Sequence, residues 1–290
     1  MRVSKTVEGY LIEVSKPSKW VRDQYDVSLK DIMVNWREVE KVDVALLGIP
    51  FDTGVMGRRG CKFGPKSVRD ALVFSDLYNP GLDMDLSTDF SVTDFGDVDV
   101  MQTDVLATHA RVEAVVTEIY KTGATPVIIG GDHSLAYPDI KALINNTNGK
   151  IGVINIDAHL DVRISHHNEI SSGTPFRRLM EEVKERPLDP KNFVEFGING
   201  WLNSRFYMDY CREKGIKVIT AREIHKRGIA DTVAEALERA GDGTEAIFLS
   251  VDIDGLDVAC APGTCAPNAG GLTSYEALET VWLIGQHPKS

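Results

Sequence analysis

KIGVINIDAHLDVR, residues 150–163, changes character halfway along. From Lys150 to Ile156 it is short, rich in Ile and Val and nearly continuous in apolar residues, the pattern of a strand buried on both faces. Directly after that run Asp157, His159 and Asp161 stand at every other position. Alternate residues of an extended chain share a face, so these three side chains are expected to converge.

Similar apolar runs recur along the chain: VDVALLGI (42–49), TPVIIG (125–130), NFVEFGI (192–198), IKVIT (216–220) and EAIFLSVDID (245–254). Between them the spacing predicts helices over 65–74, 105–122, 134–146, 174–185, 203–214, 229–240 and 274–285. Pro65 opens the first of these at a position that tolerates proline. Ala110, Val112, Val115, Val116 and Ile119 give the second an apolar stripe. Strand–helix alternation of this kind predicts an α/β fold: a single doubly wound, mostly parallel sheet with helices on both faces, in three layers. The expected organisation is an N-terminal arm over residues 1–40 and one α/β domain over 41–290. In the arm Trp20, Val21, Tyr25 and Met33 are scattered among polar groups, which suggests one or two short helices.

Across 290 residues, 32 Lys and Arg stand against 43 Asp and Glu, a net charge of −11. That balance disfavours a nucleic-acid partner, which needs an excess of basic residues. No apolar run approaches the roughly 18–20 residues that span a bilayer. MRVSKTVEGYLIEVSKPSKW, at the N-terminus, lacks the apolar core of a secretion signal. Cys61, Cys211, Cys260 and Cys265 form no CxxC pair and read as reduced thiols. These features together predict a cytoplasmic protein with neither membrane nor nucleic acid as partner.

In sheets of this class ligands bind beyond the carboxyl ends of the strands. There TPVIIG is followed by Gly131, Asp132, His133 and Ser134; KIGVINI by Asp157, His159 and Asp161; and EAIFLSV by Asp252 and Asp254. Read singly, each is a turn-former or a helix cap. Read together, so many carboxylates and imidazoles at neighbouring strand ends require a cation between them. Four Asp and two His make a hard oxygen–nitrogen donor set, suited to Mn²⁺, with Ni²⁺ or Co²⁺ also able to accept it. Six ligands exceed one tetrahedral zinc, and two ions held together can ionise a water for hydrolysis.

These residues resemble the ureohydrolases, the family of arginase, agmatinase and formimidoylglutamase. GIPFDTG (48–54), GCKFGPKSVR (60–69), GGDHS (130–134), DAHLD (157–161), SGTPFRR (172–178), SVDIDGLD (250–257), APG (261–263) and GGLTSYE (270–276) carry the resemblance, in this order. It implies two Mn²⁺ ions, one bound by His133 and Asp161 and the other by His159 and Asp254, with Asp157 and Asp252 bridging. It implies hydroxide attack on the carbon of an amidine or guanidine, with Asp254 as proton shuttle. Asp132 would assist a base or merely form its turn. Glu276 would grip the substrate's amidine nitrogens, or act only as a first-turn glutamate favoured by the helix dipole. Members of the family commonly form homo-oligomers, and the same is expected here.

Within the family three departures bear on the substrate. Ser172 stands where arginases and agmatinases carry a shuttling His; His166 and His167, upstream, are either substitutes or solvated loop residues. Arg163, two residues after DAHLD, offers a fork to a carboxylate and would repel a cationic tail, unless it forms a surface ion pair. The loop NGWLNSRF (199–206) lacks the Asp residues with which arginases read an α-ammonium group. In that loop Trp201 reads as a buried aromatic, and Arg205 as a carboxylate contact or a solvent-facing residue. Arg163, Ser172, Gly173, Thr174, Asn199 and Glu276 are the expected substrate contacts. The first expectation is hydrolysis of N-formimidoyl-L-glutamate to L-glutamate and formamide. Agmatine or a guanidino acid giving urea is the alternative. A metal-binding homologue without turnover is the reading from another class. The chain reaches Ser290 soon after the helix of Glu276, earlier than the family pattern, so an unpaired sheet edge or an uncovered core face is also expected.

Overall fold

A computed structural model describes residues 9–12, 25–38, 41–165 and 169–290. Trp20 and Val21 of the expected arm, and His166 and His167, lie outside the described residues. The chain falls into two compact units, Met1–Thr53 with Gly60–Ala142, and Gly54–Arg59 with Leu143–Ser290. Among the described residues no helix is long and apolar enough to cross a membrane.

The first unit contains β1 (Leu11–Ile12), β2 (Val34–Asn35), β3 (Val44–Gly48), β4 (Tyr78–Asn79), β5 (Met84–Asp85), β6 (Val92–Val98) and β7 (Thr125–Ile129). Its main sheet runs β1-β6-β3-β7, with β2 also paired to β6. β3 is parallel to both neighbours, pairing Val44 with Val92 on one side and with Thr125 on the other. β1 is antiparallel to β6, and β4 with β5 forms a separate two-stranded ladder. Leu47, Ile49, Phe51 and Phe95 pack with Val112, Val115, Val116 and Ile119 of the helix Val105–Lys121 to build the core. Ala110, expected on that stripe, is exposed instead, and Thr108 and His109 complete the buried face. Asp104 caps this helix, its Oδ1 accepting from the Ala107 amide at 2.9 Å.

β6 is the strand that apolar periodicity does not announce, because VTDFGDV carries two aspartates. Both are answered by one cation. Arg69, 7% exposed on the helix Gly64–Leu72, donates from Nε and Nη2 to the two oxygens of Asp94 at 2.8 and 2.9 Å. Its Nη1 reaches Asp97 at 2.5 Å and its Nη2 the Gly96 carbonyl at 2.9 Å. A buried guanidinium satisfied on every side in this way can sit on a sheet without leaving an orphaned charge. Gly48 of β3 makes room for the group: a Cβ there would lie 1.9 Å from Asp97 Oδ1.

The second unit contains β8 (Lys150–Ile156), β9 (Phe193–Ile198), β10 (Lys217–Thr220) and β11 (Thr244–Val251), all parallel in the order β10-β9-β8-β11. β9 is buried throughout and β8 from Ile151 onward, as their continuous apolar sequences require. Ile154, Ile156, Val194, Phe196 and Ile219 pack with Val233, Ala236 and Ala240 of the helix Ile229–Gly241 and with Ile284 of the helix Ser274–Gly285. The helix Arg205–Lys214 starts at its Ser204 cap and stops at Gly215, whose φ is 76°. Pro175–Glu181 is shorter than the 174–185 expected from sequence. Ala221–Arg227 is an additional helix, marked by a capping box between Thr220 and Glu223.

Candidate active site

β8 ends at Ile156, so Asp157, His159 and Asp161 lie in the loop beyond the strand. Their placement comes from that loop rather than from the strand's pleat. The Asp157 amide donates to the Phe196 carbonyl at 3.0 Å, and Asp157 Oδ1 accepts from the His159 amide at 2.6 Å. Asp161 has a φ of 42°, a left-handed backbone uncommon for a non-glycine residue and held here by its surroundings. Beyond β11, Asp252 opens the short turn Ile253–Gly255 by accepting from the Asp254 amide at 3.0 Å. The Asp252 amide returns to the Ile156 carbonyl at 2.8 Å, which pins this turn against the end of β8. Gly255 permits the approach, since a Cβ there would lie 3.0 Å from the Asp157 nitrogen.

The two strand ends bring three ionisable groups together. His159 Nδ1 lies 3.2 Å from Asp254 Oδ2 and 3.4 Å from Asp157 Oδ1, and both carboxylates are buried. Asp157 also places an oxygen within 4.8 Å of one from Asp161, so it is shared between neighbours. Burial alone would lower the His159 pKa, but hydrogen bonds and charge from Asp157 and Asp254 outweigh it and push the imidazole up to about 11. Burial raises the Asp254 carboxyl, the Asp157 charge adds to that, and His159 opposes it. The cluster thus demands positive charge, which a proton or a bound cation can supply. Carboxylate oxygens around an imidazole nitrogen suit a hard divalent ion, and these residues fit Mn²⁺.

Other expected site residues can be placed one by one. Asp132 is buried and its Oδ1 accepts from the Ser134 amide at 3.0 Å, so it does form its turn. His133 begins the turn His133–Leu135 after β7. Gly131 is required there, because a Cβ would stand 1.7 Å from the Phe51 carbonyl oxygen. Glu276 completes a capping box at the start of the helix Ser274–Gly285. Its Oε2 accepts from the Thr273 amide and hydroxyl, each at 2.8 Å, and lies 3.5 Å from His225 Nε2.

Among the expected substrate contacts, the Ser172 amide donates to the Gly54 carbonyl at 2.7 Å, and the Arg163 amide to the Gly173 carbonyl at 2.8 Å. Thr174 is buried with its hydroxyl on the Ser171 carbonyl at 2.8 Å, holding the turn rather than facing outward. Asn199 Nδ2 donates to the Ala269 carbonyl at 2.9 Å. Arg163 forms no ion pair among the described residues; its guanidinium lies over the Tyr207 ring, 5.4 Å from the centroid. Arg205 faces solvent beside Asp209 at 3.7 Å. Trp201, expected to be buried, is fully exposed. The Asn199 side chain ties one end of its loop down and Gly200, at φ 71°, turns the chain outward, leaving Trp201 at the tip.

Three further side chains support the site and were not singled out from sequence. Asn203 Nδ2 donates to the Ala158 carbonyl at 2.8 Å and the Asn199 carbonyl at 3.0 Å, while its Oδ1 accepts from the Leu160 amide at 3.1 Å. Asn155 Nδ2, within β8, reaches Asp157 Oδ2 at 3.2 Å and Glu195 Oε2 at 2.9 Å. The signal was present: Asn155 and Glu195 are polar interruptions in otherwise apolar strands.

Parallel sheets with helices, carrying a buried cluster of metal-type ligands beyond the strand ends, define a metal-dependent α/β enzyme. The model of the arginase family matches residues 42–289, and the chain belongs to that family. It is 33% identical to the formimidoylglutamase of Bacillus subtilis (strain 168) over 269 residues, 92% of this chain and 83% of the relative. Against the mitochondrial agmatinase of Gallus gallus identity is 35% over 243 residues, 83% of this chain and 70% of the relative. The crystal structure of the Bacillus subtilis formimidoylglutamase superposes with a TM-score of 0.87 at 31% identity, covering 99% of this chain and 88% of that one. That of Trypanosoma cruzi formiminoglutamase with Mn²⁺ gives 0.82 at 31% identity, covering 91% and 87%. The fold is accordingly the arginase-like three-layer α/β fold.

Proposed function

We propose that this protein hydrolyses N-formimidoyl-L-glutamate to L-glutamate and formamide, with His133, Asp157, His159, Asp161, Asp252 and Asp254 holding two Mn²⁺ ions. The observation that carries the choice of substrate is Arg163. Its guanidinium stands beside the Ser172–Thr174 turn with no carboxylate partner among the described residues, free to take one from a substrate. When bound, the ions supply Lewis acidity and a water ionised near neutral pH. Glu276 then meets the amidine nitrogens through Oε1, because Oε2 is already held by Thr273. Asp254 carries a proton toward the departing amine, a task suited to a carboxyl that burial raises above its usual range. Asp132 supports this chemistry indirectly by fixing the turn that presents His133. The four cysteines form no disulfide among the described residues, which accords with a cytoplasmic location, and a homo-oligomeric state is the family expectation we carry over.

The similarity to an agmatinase supports a second reading in which a guanidine is cleaved and urea released. A product assay on Mn²⁺-loaded protein separates the two. Glutamate and formamide from formimidoylglutamate, with KM raised by Arg163→Ala, are expected. Urea from agmatine or 4-guanidinobutyrate, with nothing from formimidoylglutamate, would overturn the proposal.

A further inference from the structure

Arg163 sits in a box built by three other residues, none of which bears charge. On one side the Tyr207 ring lies under the guanidinium, 5.4 Å from Cζ to the centroid. On another, Gly173 is so close that a Cβ on it would stand 2.6 Å from Arg163 Cδ and 3.0 Å from Nε. The Met56 terminal methyl would be 3.1 Å from that same Cβ, so it closes the box beside the arginine. Backbone geometry holds the frame: the Arg163 amide donates to the Gly173 carbonyl at 2.8 Å. Tyr207 is itself fixed in the first turn of the helix Arg205–Lys214, where its amide donates to the Ser204 hydroxyl at 3.4 Å. Its ring also meets Phe206 edge-on, with centroids 5.3 Å apart.

We propose that Tyr207 is a positioning residue for substrate selection: with Gly173 it holds the Arg163 guanidinium flat and aims its fork at a carboxylate of the substrate. This rests on the reading of Arg163 as the carboxylate contact. An arginine in solution distributes its long side chain over many rotamers, and ordering them on binding weakens the gain from an ion pair. An aromatic face beneath the guanidinium removes much of that freedom beforehand, and it leaves the edge of the guanidinium with its N–H groups open to a bidentate partner. A glycine at 173 is what allows the stem to lie in this position. The consequence is selectivity between amidines that bear a carboxylate and those that do not.

Four single variants, one double variant and two substrates test this. The substrates are N-formimidoyl-L-glutamate and N-butylformamidine, which offers the same reacting carbon without a carboxylate. Tyr207→Leu should raise KM for formimidoylglutamate about 5- to 10-fold, in line with the worth of a cation–π contact, with kcat within about 2-fold. Tyr207→Phe, which keeps the ring face, should restore the wild-type KM. Gly173→Ala should raise the same KM by displacing the stem. Neither Tyr207 change should move KM for N-butylformamidine, and Tyr207→Leu should add nothing in an Arg163→Ala background. Equal losses on both substrates, or failure of Tyr207→Phe to rescue, would overturn the positioning role. If Arg163→Ala raises KM while Tyr207→Leu does not, the inference fails alone. If Arg163→Ala leaves KM for formimidoylglutamate unchanged, the underlying reading of Arg163 fails with it.

Discussion

Replacing Arg69 with Ala would leave Asp94 and Asp97, about one-fifth exposed, facing a space from which their counter-charge has gone. Four hydrogen bonds disappear at once, three to carboxylate oxygens and one to the Gly96 carbonyl. Removing one member of a buried ion group typically costs about 3–5 kcal/mol, because the remaining charges are left uncompensated. In a chain of this size each kcal/mol corresponds to about 2–4 °C, so a melting temperature about 6–20 °C below wild type is expected. Differential scanning calorimetry of both proteins under matched conditions provides the assay. A deficit under about 2 °C would refute the argument that Arg69 is what allows β6 to carry its aspartates.

Other expectations follow from the site and its surroundings. Asn203→Ala, which removes three bonds bracing the loop of Asp157–Asp161, should weaken Mn²⁺ binding about 10- to 100-fold in a competition titration with a fluorescent chelator. Mn²⁺ must displace the proton that His159, raised to about 11, carries in the metal-free protein. Apparent affinity should therefore increase from about pH 6 to pH 9, with proton release measurable by calorimetry in buffers of different ionisation enthalpy. Cys211 is buried, and burial followed by the Glu195 charge pushes its thiol up to about 12, whereas Cys260 is exposed. At about pH 8 a thiol reagent should label Cys260 rapidly and Cys211 only after denaturant is added, as mass spectrometry of the peptides would show.

Much of this could be read from sequence because buried parallel strands leave continuous apolar runs, and β3, β8, β9, β10 and β11 all appear there. β6 could not, since the cation that permits Asp94 and Asp97 comes from a helix some 25 residues earlier in the chain. The helix Ala221–Arg227 left a readable signal in Thr220 and Glu223, but its apolar content is too low for periodicity to reveal it. The cluster itself was legible as residue types at strand ends. What alternation along a strand misjudged was its origin: Asp157, His159 and Asp161 gather through a loop containing a left-handed residue, and through a turn opened by Asp252. Trp201 shows the limit of reasoning from residue type, because the bonds of Asn199 and the turn at Gly200, not hydrophobicity, decide where the loop tip goes.

The two-ion, carboxylate-selecting hydrolase proposed here is tested most directly by titrating metal-free protein with Mn²⁺ while recording glutamate release from N-formimidoyl-L-glutamate. Activity should rise until two equivalents per chain have been added and then remain constant. Saturation at one equivalent, or no glutamate at any ratio from a protein that nevertheless binds the metal, would contradict it.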